Sequence, residues 1–151
     1  MGLGKLENKK IGVLGGSFDP AHIGHIKISK IAKKDYDLIQ VIWAITKQNP
    51  FKKNKPNDLY KRTAYAKKIN KRNKFIKVQC FDDIVKSNRT IDLIKYLKKK
   101  FKNTDIFFLM GADNLVNFHK WKGCNSITKM CKILVFDSCL LYTSPSPRDT
   151  A

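Results

Sequence analysis

The stretch Ile11-Gly12-Val13-Leu14-Gly15-Gly16-Ser17-Phe18-Asp19-Pro20-Ala21-His22-Ile23-Gly24-His25 decides how this chain folds. Ile11 to Leu14 is an apolar run of the kind a buried strand carries, and Ile26, Ile28, Ile31 and Ala32 recur at the spacing of a helix face. Between them lies a turn that opens on two glycines. The order is therefore strand, turn, helix, with the strand expected over Lys10–Leu14 and the helix from Ala21 to about Lys34. Asp19 stands where a helix N-cap belongs, and Pro20 suits a first helical turn, where no backbone N–H is needed.

That geometry has chemical consequences. Adjacent glycines let the backbone pass close to a bulky anion and adopt angles other residues avoid. A helix N-terminus offers unpaired N–H groups and partial positive charge. His22 and His25, three apart, share one face, and both can donate hydrogen bonds to a phosphoryl group. No nucleophile sits beside a base. The pattern points to positioning of phosphates and stabilisation of transition-state charge rather than to covalent catalysis.

Three other motifs fail on spacing. A dinucleotide site needs G-x-G-x-x-G and an acid after the next strand, whereas the glycines here fall at 12, 15 and 16 and the second strand closes in Trp43-Ala44. A P-loop needs Gly-Lys-Ser/Thr after its glycine. Zinc needs a third ligand near the histidine pair, but His119 and the cysteines at 80, 124, 131 and 139 are distant in sequence, so no protein-held metal is expected.

Working outward, Leu38 to Ala44 reads as a second buried strand. The resulting β-α-β order predicts an α/β fold, a Rossmann-like open parallel sheet with helices on both faces, whose ligands sit beyond the carboxyl ends of the strands. The loop Ile45 to Lys53 is polar and rich in lysine. Asp58 is expected to cap a helix through Leu59, Arg62, Ala66 and Ile69, on which Arg62 by itself reads as a solvated charge. Phe75 to Val78 is a short third strand, and Thr90 stands near the N-cap of a helix carrying Ile91, Leu93, Ile94 and Leu97. Asp105 to Met110 is a fourth strand that runs into Gly111-Ala112-Asp113-Asn114. A glycine and an acid at that edge suit a ribose hydroxyl, with helix capping as the alternative for Asp113. Trp121 is either core or an aromatic face for a flat ring. Lys132 to Phe136 is a fifth strand.

The length, 151 residues, suits one domain with one core. The net charge of +19 raises the question of nucleic acid, but the lysines are scattered, as in Lys33-Lys34, Lys67-Lys68 and Lys98-Lys99-Lys100, and read as a solvated surface whose field attracts small anions. No C-x-x-C pair occurs, so the cysteines read as reduced thiols in a cytoplasmic protein. There is no signal peptide and no apolar run long enough to span a bilayer. Residues 1–8 read as a flexible leader, 9–137 as the domain, and 138–151, which lack any periodicity, as a non-native tail.

The turn matches G-x-F-D-x-x-H-x-G-H at Gly16, Phe18, Asp19, His22, Gly24 and His25, and so resembles the nucleotidyltransferase signature. Bacterial nicotinate-nucleotide adenylyltransferases, pantetheine-phosphate adenylyltransferases and cytidylyltransferases share it. Class I aminoacyl-tRNA synthetases carry a related tetrad but are far longer. The loop Gln48-Asn49-Pro50-Phe51-Lys52 and the spacing from Gly111-Ala112-Asp113 to Trp121 resemble the nicotinate branch. That resemblance implies transfer of the adenylyl group of ATP, with Mg²⁺, to nicotinate mononucleotide, giving deamido-NAD and pyrophosphate. It implies catalytic roles for His22 and His25, and an ATP cradle of Gly15, Gly16, Ser17, Phe18, Gly24, Gly111 and Asp113. Lys52, Thr90 and Trp121 would hold the mononucleotide. Arg62 resembles an arginine the family keeps, whereas Arg89 replaces a tyrosine that precedes the threonine in the nicotinate branch. The family continues with a further strand and a Ser/Thr-rich segment ending in arginine. The resemblance here covers Lys9 to Asp137 without that segment, so the domain is expected to lack its C-terminal part. Two alternatives stay open: a different phosphate acceptor, as in the pantetheine branch, or an inactive, basic, nucleic-acid-binding fragment.

Overall fold

A computed structural model describes residues 8–47 and 58–137. Strand β1 (Lys9–Gly16) leads through helix α1 (Ile23–Tyr36) into β2 (Gln40–Ile45), and α2 (Leu59–Ile69) leads into β3 (Ile76–Gln79). The short α3 (Asp82–Val85) and the longer α4 (Thr90–Lys100) precede β4 (Thr104–Gly111). After it come α5 (Ala112–Leu115), a 3₁₀ turn (Phe118–Lys120), α6 (Cys124–Met130) and β5 (Lys132–Phe136). The strands form one five-stranded parallel sheet in the order β3-β2-β1-β4-β5. The chain winds outward from β1 in one direction and then returns to its other side, which makes the carboxyl ends of β1 and β4 a topological switch point, the usual place for a ligand.

Side chains alternate across the sheet, as strand geometry requires. Leu14, Val41, Trp43, Ile45, Phe107 and Leu109 pack with Ile28 and Ala32 of α1 and Ala66 of α2. Ile11, Val13, Ile42, Ala44, Ile106, Phe108 and Met110 pack on the other face with Ile91, Ile94 and Leu97 of α4 and Ile127 of α6. Both faces are apolar, so the strands read as near-continuous hydrophobic runs. Gly12 has a packing reason of its own. A Cβ there would lie 2.9 Å from Leu38 Cδ1 and 3.2 Å from Leu109 Cδ1.

Several local expectations are corrected. β1 runs through Gly16, so the two glycines end the strand rather than form the turn. They pair with Ala44 and Ile45 of β2, and the unusual backbone angle falls instead on Phe18, at φ 51°. Helix α1 begins at Ile23, and its N-cap is His22, not Asp19. Asp19 and Pro20 lie in the turn before it. Gly111, not Asp113, is the N-cap of α5, whereas Thr90 does lie beside the N-cap of its helix, as the first residue of α4 after Arg89. Asp58 does cap α2, its carboxylate accepting the Lys61 N–H at 2.7 Å.

Cys80, Cys124 and Cys131 are free thiols. No helix among the described residues is long and apolar enough to cross a membrane. Lys52, residues 1–7 of the expected leader (1–8) and the expected tail over 138–151 lie outside the described residues.

Candidate active site

The site is built on the first residues of α1. His22 has extended backbone (φ −150°, ψ 179°) and its Nδ1 accepts the Gly24 N–H at 3.1 Å. His25 Nδ1 accepts the His22 N–H at 3.0 Å. Together these form a reciprocal capping box in which two imidazoles do the work usually given to Ser and Glu. The arrangement fixes the tautomer. A backbone N–H can be accepted only by an unprotonated ring nitrogen, so in each neutral histidine the ring proton sits on Nε2. Both rings therefore present an N–H donor away from the cap, with centroids 3.9 Å apart. Burial lowers both pKa values. For His25, burial first and the neighbouring His22 charge second bring it down to about 3, while His22 is lowered by burial. At neutral pH these are neutral donors.

The second histidine is seated from below. Trp43 and Ser29 are fully buried. The Trp43 indole N–H donates to Ser29 Oγ at 2.9 Å, and that hydroxyl donates to the His25 carbonyl at 2.8 Å. Phe18 stacks on Trp43 with centroids 5.0 Å apart, and the His25 ring lies 4.7 Å from Phe18. The Phe18 side chain is thus core that supports the histidine, and only its backbone belongs to the turn.

Arg62 is a buried charge, 4% exposed. Its Nη1 donates to the Ser17 carbonyl and to the Thr46 carbonyl, each at 2.8 Å. Thr46 in turn donates its N–H to the Gly16 carbonyl at 2.9 Å. One guanidinium so ties the loop after β1 to the loop after β2. Of the two sequence readings of Arg62, the solvated charge is corrected, because α2 carries the residue onto the sheet edge.

Beside the glycines opens a cavity of about 260 Å³, bounded by Gly15, Gly16, Thr46, Arg89, Thr90 and Trp121 and closed on its apolar side by Phe108. Trp121 is half-buried and stands edge-on to Phe108 at 6.0 Å. A Cβ at Gly15 or Gly16 would meet nothing nearer than 3.9 or 3.7 Å. The fold does not require glycine at either position, so the bare floor serves whatever lies above it. Of the residues expected in the site, Gly15, Gly16, Thr90 and Trp121 meet in this cavity. His22, His25, Ser17, Phe18, Gly24, Gly111 and Asp113 do not line it. The histidines stand partly exposed at the start of α1, next along the chain from the glycine floor. Asp113 is exposed on α5 and its Oδ1 accepts the Asn114 N–H at 3.0 Å, while Asn114 reaches the cavity.

Sequence reading placed the loops of Thr46 and Asn114 at the ligand edge of the sheet without singling out either residue, and it missed Asp82 in the cavity wall and Trp43 and Ser29 beneath His25. The register of Leu14 opposite Trp43 is the signal for the last pair, and it exists only once the strands are aligned. Among the described residues no group of three or more His, Cys, Asp or Glu could hold a metal ion.

A family model described as cytidylyltransferase-like matches residues 13–148. A probable nicotinate-nucleotide adenylyltransferase of Pelagibacter ubique is 59% identical over 128 residues, covering 85% of this chain and 71% of its own length. The corresponding protein of Ruegeria is 37% identical over 117 residues, and this chain spans 61% of its length. The fold matches that of Plasmodium falciparum nicotinic acid mononucleotide adenylyltransferase complexed with NaAD, at 19% identity and a TM-score of 0.67 over 94% of this chain and 79% of that one.

Proposed function

The chain belongs to the cytidylyltransferase-like family, among the nicotinate-nucleotide adenylyltransferases, and on that premise we propose that it joins ATP to nicotinate mononucleotide, giving deamido-NAD and pyrophosphate for NAD biosynthesis in the cytoplasm. The mononucleotide phosphate attacks the α-phosphorus of ATP in line. The bond from that phosphorus to the oxygen bridging the β-phosphate breaks, and pyrophosphate leaves. A phosphate monoester is largely ionised at neutral pH, so no side chain has to remove a proton. The protein's work is alignment and charge neutralisation.

The observation that carries this reading is the histidine pair locked as Nε2–H donors. Neutral donors gain strength as charge builds on the ATP phosphates and hold the ground state less tightly than cations would, which is what differential stabilisation requires. The bare backbone of Gly15 and Gly16 would pass under the reacting phosphates, with Ser17, Phe18 and Gly24 continuing the cradle. Gly111 and Asp113 would meet the ATP ribose. Lys52, Thr90 and Trp121 would hold the mononucleotide. A divalent cation, Mg²⁺, would enter with ATP, held mainly by phosphate oxygens and water, a mode that needs few carboxylates and fits the described residues, among which no group of three or more His, Cys, Asp or Glu could hold a metal ion. When bound it neutralises triphosphate charge.

The test is pyrophosphate release from ATP with a panel of acceptors. Release with a pyridine mononucleotide and none with phosphopantetheine supports the reading. Release with phosphopantetheine alone overturns it.

A further inference from the structure

Among the described residues, the cavity beside the glycine floor has one cation in its wall, Arg89, and one carboxylate, Asp82. Asp82 is already engaged, its Oδ2 accepting the Lys47 N–H at 2.8 Å. Arg89 is used locally only through its backbone. It is the N-cap residue of α4 without a side-chain cap bond, and its N–H donates to Ser87 Oγ at 3.0 Å. Ser87 also donates to Asp92 at 2.6 Å, so the acid in the first turn of α4 is satisfied without the arginine. No hydrogen bond or ion pair from the Arg89 guanidinium falls on any described residue. The same cavity carries an aromatic wall of Phe81, Phe108 and Trp121, with Trp121 set edge-on to Phe108.

This combination fits a flat ring that carries an anion. The aromatic wall takes the ring, and a guanidinium takes a planar carboxylate through two parallel hydrogen bonds. A carboxamide fits the same fork badly. It offers one acceptor oxygen, and its NH₂ would face a group that only donates.

Resting on the pyridine mononucleotide reading above, we propose that Arg89 is a specificity-determining residue that selects a pyridine ring bearing a carboxylate over one bearing a carboxamide. The experiment is calorimetric titration of nicotinate mononucleotide and nicotinamide mononucleotide into the unmodified chain, Arg89→Gln and Arg89→Lys, with pyrophosphate release measured alongside. The unmodified chain should prefer the nicotinate form. Arg89→Gln, which removes the guanidinium fork and its charge, should narrow that preference by about tenfold or more, by weakening the nicotinate form alone and leaving the ATP KM unchanged. Arg89→Lys, which keeps the charge without the fork, should recover part of it. An exposed residue with no side-chain cap bond should leave thermal melting unchanged when replaced. An unchanged preference, or an equal loss for both forms as a phosphate contact would give, overturns the proposal. Failure of the adenylyl-transfer reading looks different: a charge preference in binding that responds to Arg89, with no pyrophosphate released in the presence of either form.

Discussion

His25 Nδ1 accepts the main-chain N–H of His22 at 3.0 Å, so the second histidine of the turn holds the first in place. Each imidazole has two jobs on two nitrogens: Nδ1 closes the helix and Nε2 carries the N–H donor. Substitutions can separate them. His22→Asp keeps a good N-cap but removes the donor and adds a negative charge. It should leave urea unfolding close to that of the unmodified chain while lowering turnover by about 10²-fold or more. His22→Ala should lose both, with about 1 kcal/mol of stability gone. Equal turnover in both variants and the unmodified chain would remove His22 from the chemistry.

The same bonds predict a pH dependence. Burial holds both histidines below the ordinary value, His25 to about 3, whereas in the unfolded chain both titrate near about 6.5. Between those values the unfolded chain binds more protons. Stability is therefore fully present above pH of about 6.5 and falls as pH drops toward 3, with a limit of about 1.4 kcal/mol per pH unit for one histidine. Chemical unfolding at pH 7.5, 6 and 5 measures the slope, and His25→Asn should flatten it. An identical slope in that variant would show that His25 does not carry the effect.

Gly15→Ala and Gly16→Ala separate fold from site. Each new methyl would stand at ordinary contact distance from its neighbours, and alanine restricts the unfolded chain, so stability should hold or rise by about 0.4–1 kcal/mol. Binding of ATP or mononucleotide should weaken all the same: the Gly15 methyl, on the Phe108 side, would stand in the floor of the cavity, and the Gly16 methyl would stand on the opposite face beside Phe18, whose ring packs on His25. Tight binding in both variants would mean that no ligand approaches that backbone.

Arg62→Met should lower stability by about 1–3 kcal/mol, since it leaves the Ser17 and Thr46 carbonyls without their buried donor. It should also raise KM for both substrates, because the two loops lose their common tie. A stability loss with unchanged KM would confine Arg62 to the fold.

Trp43→Phe keeps the ring against Phe18 but deletes the indole N–H that donates to Ser29. A loss of about 0.5–1.5 kcal/mol in unfolding free energy is expected. No loss would mean that this bond contributes nothing net to holding the α1 start.

What could be read along the chain was whatever is local. The apolar runs at Ile11–Leu14, Leu38–Ala44, Asp105–Met110 and Lys132–Phe136 all became strands: β1 and β4 extend a residue or two past them, β2 starts two residues later, at Gln40, and ends at Ile45, and β5 keeps its bounds. The histidine pair was visible as spacing, but its cap was not, because imidazoles rarely fill that role and Asp19 looked better suited. The glycines were read as turn formers, yet the parallel register with β2 keeps them in the strand. The supports were illegible for a different reason. Arg62 reaches a carbonyl 45 residues away and the Trp43 indole a hydroxyl 14 residues away, and no periodicity encodes such contacts. Arg89 stood out as a departure from the family pattern, but only the cavity shows that it is the single cation in that wall among the described residues.

The central claim is that His22 and His25 meet ATP as neutral Nε2–H donors. Long-range ¹H–¹⁵N NMR of the imidazoles at pH 7, recorded before and after addition of ATP with Mg²⁺, tests it most directly. The account predicts an unprotonated Nδ1 and a protonated Nε2 in both rings, with the two Nε2 resonances shifting as ATP binds. A protonated Nδ1 in either ring, or Nε2 signals indifferent to saturating ATP, would contradict it.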